Sequence, residues 1–69
     1  MASSTREKIL AASLRLFNEQ GYRSVTMRAI ADSLSISVGN LTYHFAKKRD
    51  IASALMEDIF LQMSATADM

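Results

Sequence analysis

Gly39, Asn40, Thr42 and Tyr43 fall on one side of a short helical pattern, Val38 to about His44, in which Leu41 is the residue that points inward. At about 100° per residue, an inward Leu41 leaves Ser37, Val38, His44 and Phe45 within about 60° of it and turns Gly39, Asn40, Thr42 and Tyr43 outward. A carboxamide, a hydroxyl and a phenol around a glycine carry little charge but many donors and acceptors. Such groups suit base edges and phosphate oxygens. The glycine is informative in itself, because inside a helix it costs about 1 kcal/mol relative to alanine. Either something approaches the backbone at Gly39, or another helix packs tightly there.

Other chemistries find no support. The sequence offers no clustered nucleophile, base and oxyanion donor, no glycine-rich phosphate loop and no metal-ligand spacing, so the chain reads as a non-enzyme. Cysteine is absent and His44 is the single histidine, which rules out a disulfide frame and a four-ligand structural zinc site. No metal and no cofactor is expected. The net charge of +1 hides a division along the chain. Residues 1–49 hold all eight basic side chains against Glu7, Glu19 and Asp32, a net of +5, whereas residues 50–69 hold only Asp50, Glu57, Asp58 and Asp68, a net of −4. Phosphate binding is driven largely by released counterions, so the basic part is the one fitted to nucleic acid and the acidic part is expected to point away.

The elements that must position the outward face are legible from punctuation and periodicity. Proline is absent, the only glycines are Gly21 and Gly39, and apolar residues recur at three- and four-residue intervals, which predicts an all-α chain: a small helical bundle of about four helices. The first helix is expected from about Thr5 to Gln20, with Ile9, Leu10, Ser13, Leu14, Leu16 and Phe17 as its inward stripe and Gly21 as its stop. Tyr22 to Val25 form a link. Thr26 stands as the N-cap of a second helix in which Met27, Ile30, Ala31 and Leu34 share a face. Ser35 and Ile36 form a break, and Ser37 caps the third helix. Thr26 to Phe45 thus has the layout of a helix-turn-helix, a motif that braces its second helix in the major groove of DNA.

A fourth helix is expected from about Lys48 past Ser64, with Ile51, Leu55, Ile59 and Met63 facing inward. A second apolar strip, Ala52, Met56, Phe60 and Ala67 with Leu61 nearby, exceeds what a small core needs, which favours a further contact there. The alternative to a DNA-binding function is therefore a helical protein-interaction module that uses this strip. At 69 residues one small domain is the ceiling. No segment approaches the roughly 20 apolar residues that span a bilayer, and the chain is expected to be soluble and cytoplasmic, with no membrane partner.

In order along the chain, ILAASLRLFNEQGY, TMRAIADSL, ISVGNLTYHF and AKKRDI make Ile9 to Ile51 resemble the N-terminal DNA-binding domain of tetracycline-repressor (TetR) type bacterial transcriptional regulators. No single piece is specific; the ordered set is. The resemblance implies sequence-specific binding of double-stranded operator DNA by a regulator, expected to be a repressor, with the third helix in the major groove. It implies phosphate-side roles for Thr26, Tyr43 and Lys48, and reach to a base or a backbone oxygen for Arg28. Ser37, Val38, Gly39 and Asn40 match the start of the recognition helix. Asn40 is the best candidate for base reading, since a carboxamide can bond an adenine edge bidentately, and Val38 either meets a thymine methyl or packs. His44 either shares a phosphate or packs at the helix end.

Three positions depart from the family pattern. Ser35 replaces the usual turn glycine, Thr42 a frequent tyrosine whose backbone contact its hydroxyl could replace only at shorter reach, and Lys47 a small capping residue. Lys47 adds charge near the phosphates at the expense of capping. The expected division is a DNA-binding unit over residues 1–47, with the helix-turn-helix at about 26–45, and a fourth helix over 48–69 leading toward an absent C-terminal domain. In the family that domain forms the homodimer and holds a small-molecule inducer, so dimerisation without it is expected to be weak or absent.

Overall fold

Helix α1 begins where Ser4 accepts a hydrogen bond from the Glu7 backbone N–H at 3.1 Å, and spans Thr5–Gln20. In the computed structural model, which describes the backbone of residues 4–67 and the side chains of residues 4–57, it is followed by a 3-10 turn at Tyr22–Ser24, α2 at Met27–Ser33, α3 at Val38–His44 and α4 at Lys48–Ala67. The described residues form a helical bundle without strands. Gly21 ends α1 with its N–H on the Phe17 carbonyl at 2.9 Å and a φ of 84°. A Cβ there would meet nothing within 4 Å, so backbone conformation rather than space requires the glycine.

The core gathers one or more residues from each α-helix and from the segments between them: Ile9, Leu10 and Leu16 of α1, Val25 after the 3-10 turn, Ile30 and Ala31 of α2, Leu41 of α3, Phe45 after it, and Ile51 of α4. Leu14 departs from the expected stripe. It lies about 140° round the helix from Ile9, stays exposed, and borders a groove with Leu10, Ala11 and Leu55. Ser13 is fully buried, and among the described residues its hydroxyl has no partner.

The connection from α2 to α3 is a Schellman stop. The Ile36 N–H reaches back to the Ala31 carbonyl at 3.0 Å and the Ser35 N–H to the Asp32 carbonyl at 3.1 Å. Ser35 holds φ = 57°, the conformation this motif asks of a glycine. Ile36 is more than a spacer, since it packs against the core beside Leu34. The capping lost at Lys47 is supplied from within α4, where Asp50 Oδ2 accepts from the Lys47 backbone N–H at 3.1 Å. This is the return half of a capping box.

Along α4, Ile51 is buried and Leu55 is half-buried, as the inward face requires. Met56 is 70% exposed. Ile59 and Met63 of the expected inward face, and Phe60, Leu61 and Ala67 of the second apolar strip, lie outside the residues whose side chains are described, as do Asp58 and Asp68. Among the described residues, no helix is long and apolar enough to cross a membrane.

Candidate nucleic-acid interface

Two hydroxyl caps start the two short helices. Thr26 Oγ1 accepts from the Ala29 N–H and Ser37 Oγ accepts from the Asn40 N–H, each at 3.0 Å. Both side chains are exposed, and each hydroxyl used as an acceptor keeps its own proton to donate. A phosphate oxygen accepts only. Thr26 and Ser37 are therefore equipped for the phosphate side of a duplex, and Arg28, exposed on the first turn of α2, adds a cation beside Thr26.

On α3 the expected division of faces is observed. Leu41 is 0% exposed, and Gly39, Asn40, Thr42 and Tyr43 all face solvent, Tyr43 at 85%. Burial of Leu41 and Phe45 on one side is what holds the others out. Val38 is 41% exposed, so it is free to meet a ligand through its methyl groups. The Asn40 carboxamide has no hydrogen-bond partner among the described residues, which leaves both its donors and its acceptor free. Gly39 is not a helix-packing glycine: a Cβ there would meet only Ser37 Oγ, at an ordinary 3.8 Å. The crowding that could explain it within the described fold is missing.

Thr42 behaves differently from the caps. Its hydroxyl donates to the Gly39 carbonyl at 3.1 Å, so its proton is committed within α3 and its oxygen is left as an acceptor. That suits a base amino group better than a phosphate. His44 is half-buried, with its ring 5.3 Å from the Tyr43 ring and nearly perpendicular to it at 88°. The contact steadies the phenol at the rim of the face.

The cations that follow α3 divide into two kinds. Lys47 is exposed, and among the described residues its ammonium has no partner. Lys48 is half-buried, and its Nζ donates to the backbone carbonyls of Tyr22 and Val25 at 2.7 and 2.9 Å. It also lies 4.3 Å from the centroid of the Tyr22 ring. Sequence reading missed this, and it missed Arg6, whose guanidinium lies 5.3 Å over the Phe45 ring and joins the start of α1 to the end of α3. Nothing in local periodicity pairs residues so far apart.

The family of bacterial regulatory proteins called tetR matches residues 9–55 of the chain. Among curated relatives, the HTH-type transcriptional regulator UidR of Escherichia coli strain K12 is 43% identical over 61 residues, 88% of this chain and 29% of its own length. Among solved structures, a TetR-family transcriptional regulator from Marinobacter aquaeolei VT8 superposes with a TM-score of 0.80 at 48% identity, over 81% of this chain and 28% of that one. The ketosteroid transcriptional regulator KstR2 of Mycobacterium tuberculosis gives 0.77 at 35% identity, over 83% and 29%. The chain spans less than a third of the length of these proteins.

Proposed function

The chain belongs to the tetR family of bacterial regulatory proteins, and from that membership and the face presented by α3 we propose that it is the sequence-specific, double-stranded DNA-binding module of a transcriptional regulator. One observation carries the reading. A buried Leu41 holds an uncharged, hydrogen-bonding face of Gly39, Asn40 and Tyr43 in solvent, at a glycine that the described fold does not itself require.

Each exposed group has a role in this reading. Asn40 bonds a base edge in the major groove, Val38 packs on a thymine methyl, and Thr42 accepts from a base amino group. Gly39 lets the duplex come close to the helix backbone. Thr26, Ser37, Tyr43 and His44 donate to phosphate oxygens, and Arg28, Lys47 and Lys48 supply the positive charge near them. Phosphate contacts set the register, and Asn40 with its neighbours reads the sequence.

Within a regulator as long as the relatives, residues 1–47 form the DNA-binding unit and α4 leads toward the part that dimerises and holds an inducer. Two copies then meet a repeated half-site, and repression follows where that site overlaps a promoter. The reading places the protein in the bacterial cytoplasm as a binding module rather than an enzyme.

Selection of bound sequences from a random duplex pool tests the function directly. A short recurrent half-site is expected, with affinity that falls steeply as salt rises. A pool that stays random, or binding indifferent to salt, overturns the reading.

A further inference from the structure

Lys48 opens α4, yet its side chain runs back to the link between α1 and α2. The two bonds it makes there bridge 26 and 23 residues of sequence. The Tyr22 carbonyl also accepts from the Val25 N–H at 3.3 Å, so the ammonium occupies its second acceptor position. Two of the three ammonium donors are thus committed, and the cation rests against the Tyr22 ring. Full engagement with a phosphate would strip both carbonyls of a charge-assisted partner. The anchored segment leads straight into Val25, 1% exposed in the core, and then into Thr26.

We propose, on the DNA-binding reading above, that Lys48 is a positioning residue: it ties the start of α4 to the Tyr22–Val25 link and so fixes Thr26 for contact with the duplex. Beside it, Lys47 and Arg49 are exposed, with no side-chain partner among the described residues. Lys48 thus serves DNA binding through Thr26, beyond the charge it adds near the phosphates.

Ammonium resonances of the free 69-residue chain test the tether without DNA. Lys48 is expected to show slowly exchanging protons, shifted upfield by the Tyr22 ring, unlike those of Lys8 and Lys47; a Lys48 signal indistinguishable from theirs overturns the proposal. Lys48→Met keeps the aliphatic stem and removes the donors. It should speed exchange of the Ala29 amide, which Thr26 caps, by about tenfold, and leave the Asn40 amide, which Ser37 caps in the same way, unchanged. Equal acceleration at both amides means a general loss of stability and counts against positioning. Where Lys48→Met does not fold, Lys48→Gln, which keeps a single donor group, takes its place with the same readout.

On a selected duplex, Lys48→Met and Thr26→Ala should weaken binding non-additively, the double variant falling little beyond Lys48→Met alone, whereas additive losses overturn the link to Thr26. A wild-type chain that binds no duplex removes the DNA-binding function and this last arm with it. The ammonium and amide spectra still decide whether the tether exists.

Discussion

Gly39 and Ser35 are exchanged relative to what helix physics alone would choose. A glycine stands inside α3, where a Cβ would fit, and a serine stands at φ = 57°, where glycine is the unstrained residue. Gly39→Ala should therefore raise the stability of the free chain by about 1 kcal/mol, the helix-propensity difference, and weaken binding to a selected half-site by about tenfold or more. Thermal denaturation and a binding titration on the same sample check both signs. An alanine variant that binds like wild type would place the duplex away from this face. Ser35→Gly should relieve about 1 kcal/mol of left-handed strain, part of it offset by greater freedom of the unfolded chain, and leave DNA binding unchanged. An increase of a few degrees in Tm is the expected size for a domain of this length. The two positions were equally visible in the sequence, and the structure supplies the reason each is tolerated. Space surrounds Gly39, and the Schellman bonds of Ser35 and Ile36 hold the turn against its strain.

The helix-turn-helix owes its legibility to local chemistry. Thr26 and Ser37 bond amides three residues on, Gly21 stops α1, and Leu41 alternates with polar neighbours at helical spacing; each signal lies within a few residues of the feature it sets. The division of α3 into a buried Leu41 and an exposed Asn40 and Tyr43 follows from the same arithmetic. Long-range polar contacts have no such signature. Lys48 on the Tyr22 and Val25 carbonyls and Arg6 over Phe45 depend on how helices pack, and Asp50 restores a cap that the Lys47 position alone suggested was lost.

Because α3 presents both kinds of group, its variants should separate reading from holding. Asn40→Ala should cost about 1–3 kcal/mol against the preferred base at one position and relax preference there. Tyr43→Phe, which removes only a hydroxyl, should weaken all duplexes by a similar factor and leave the preferred sequence intact. A competition assay against single-base variants of the half-site distinguishes them. Uniform weakening by Asn40→Ala would move base reading to another residue of the face.

At the scale of the molecule, charge and shape work together. The net +5 of residues 1–49 accompanies the polar face, and the net −4 of residues 50–69 begins in the first turn of α4, at Asp50. An overall charge of +1 supplies little long-range attraction, so binding has to come from the local arrangement of cations near α2 and α3. Each phosphate neutralised contributes a slope of about −0.9 to log affinity against log salt. Lys47 is exposed with no partner for its ammonium among the described residues, which leaves its charge available to a phosphate. Lys47→Met should flatten that slope by about one, with the sequence preference unchanged, and Lys47→Glu should go further and suppress binding at moderate salt. Substitution of Met56, exposed on α4, should leave the slope and the affinity of the free chain untouched. An unaltered slope in Lys47→Met, or a loss of DNA binding on changing Met56, would shift the functional surface from α3 to α4 and favour the interaction module.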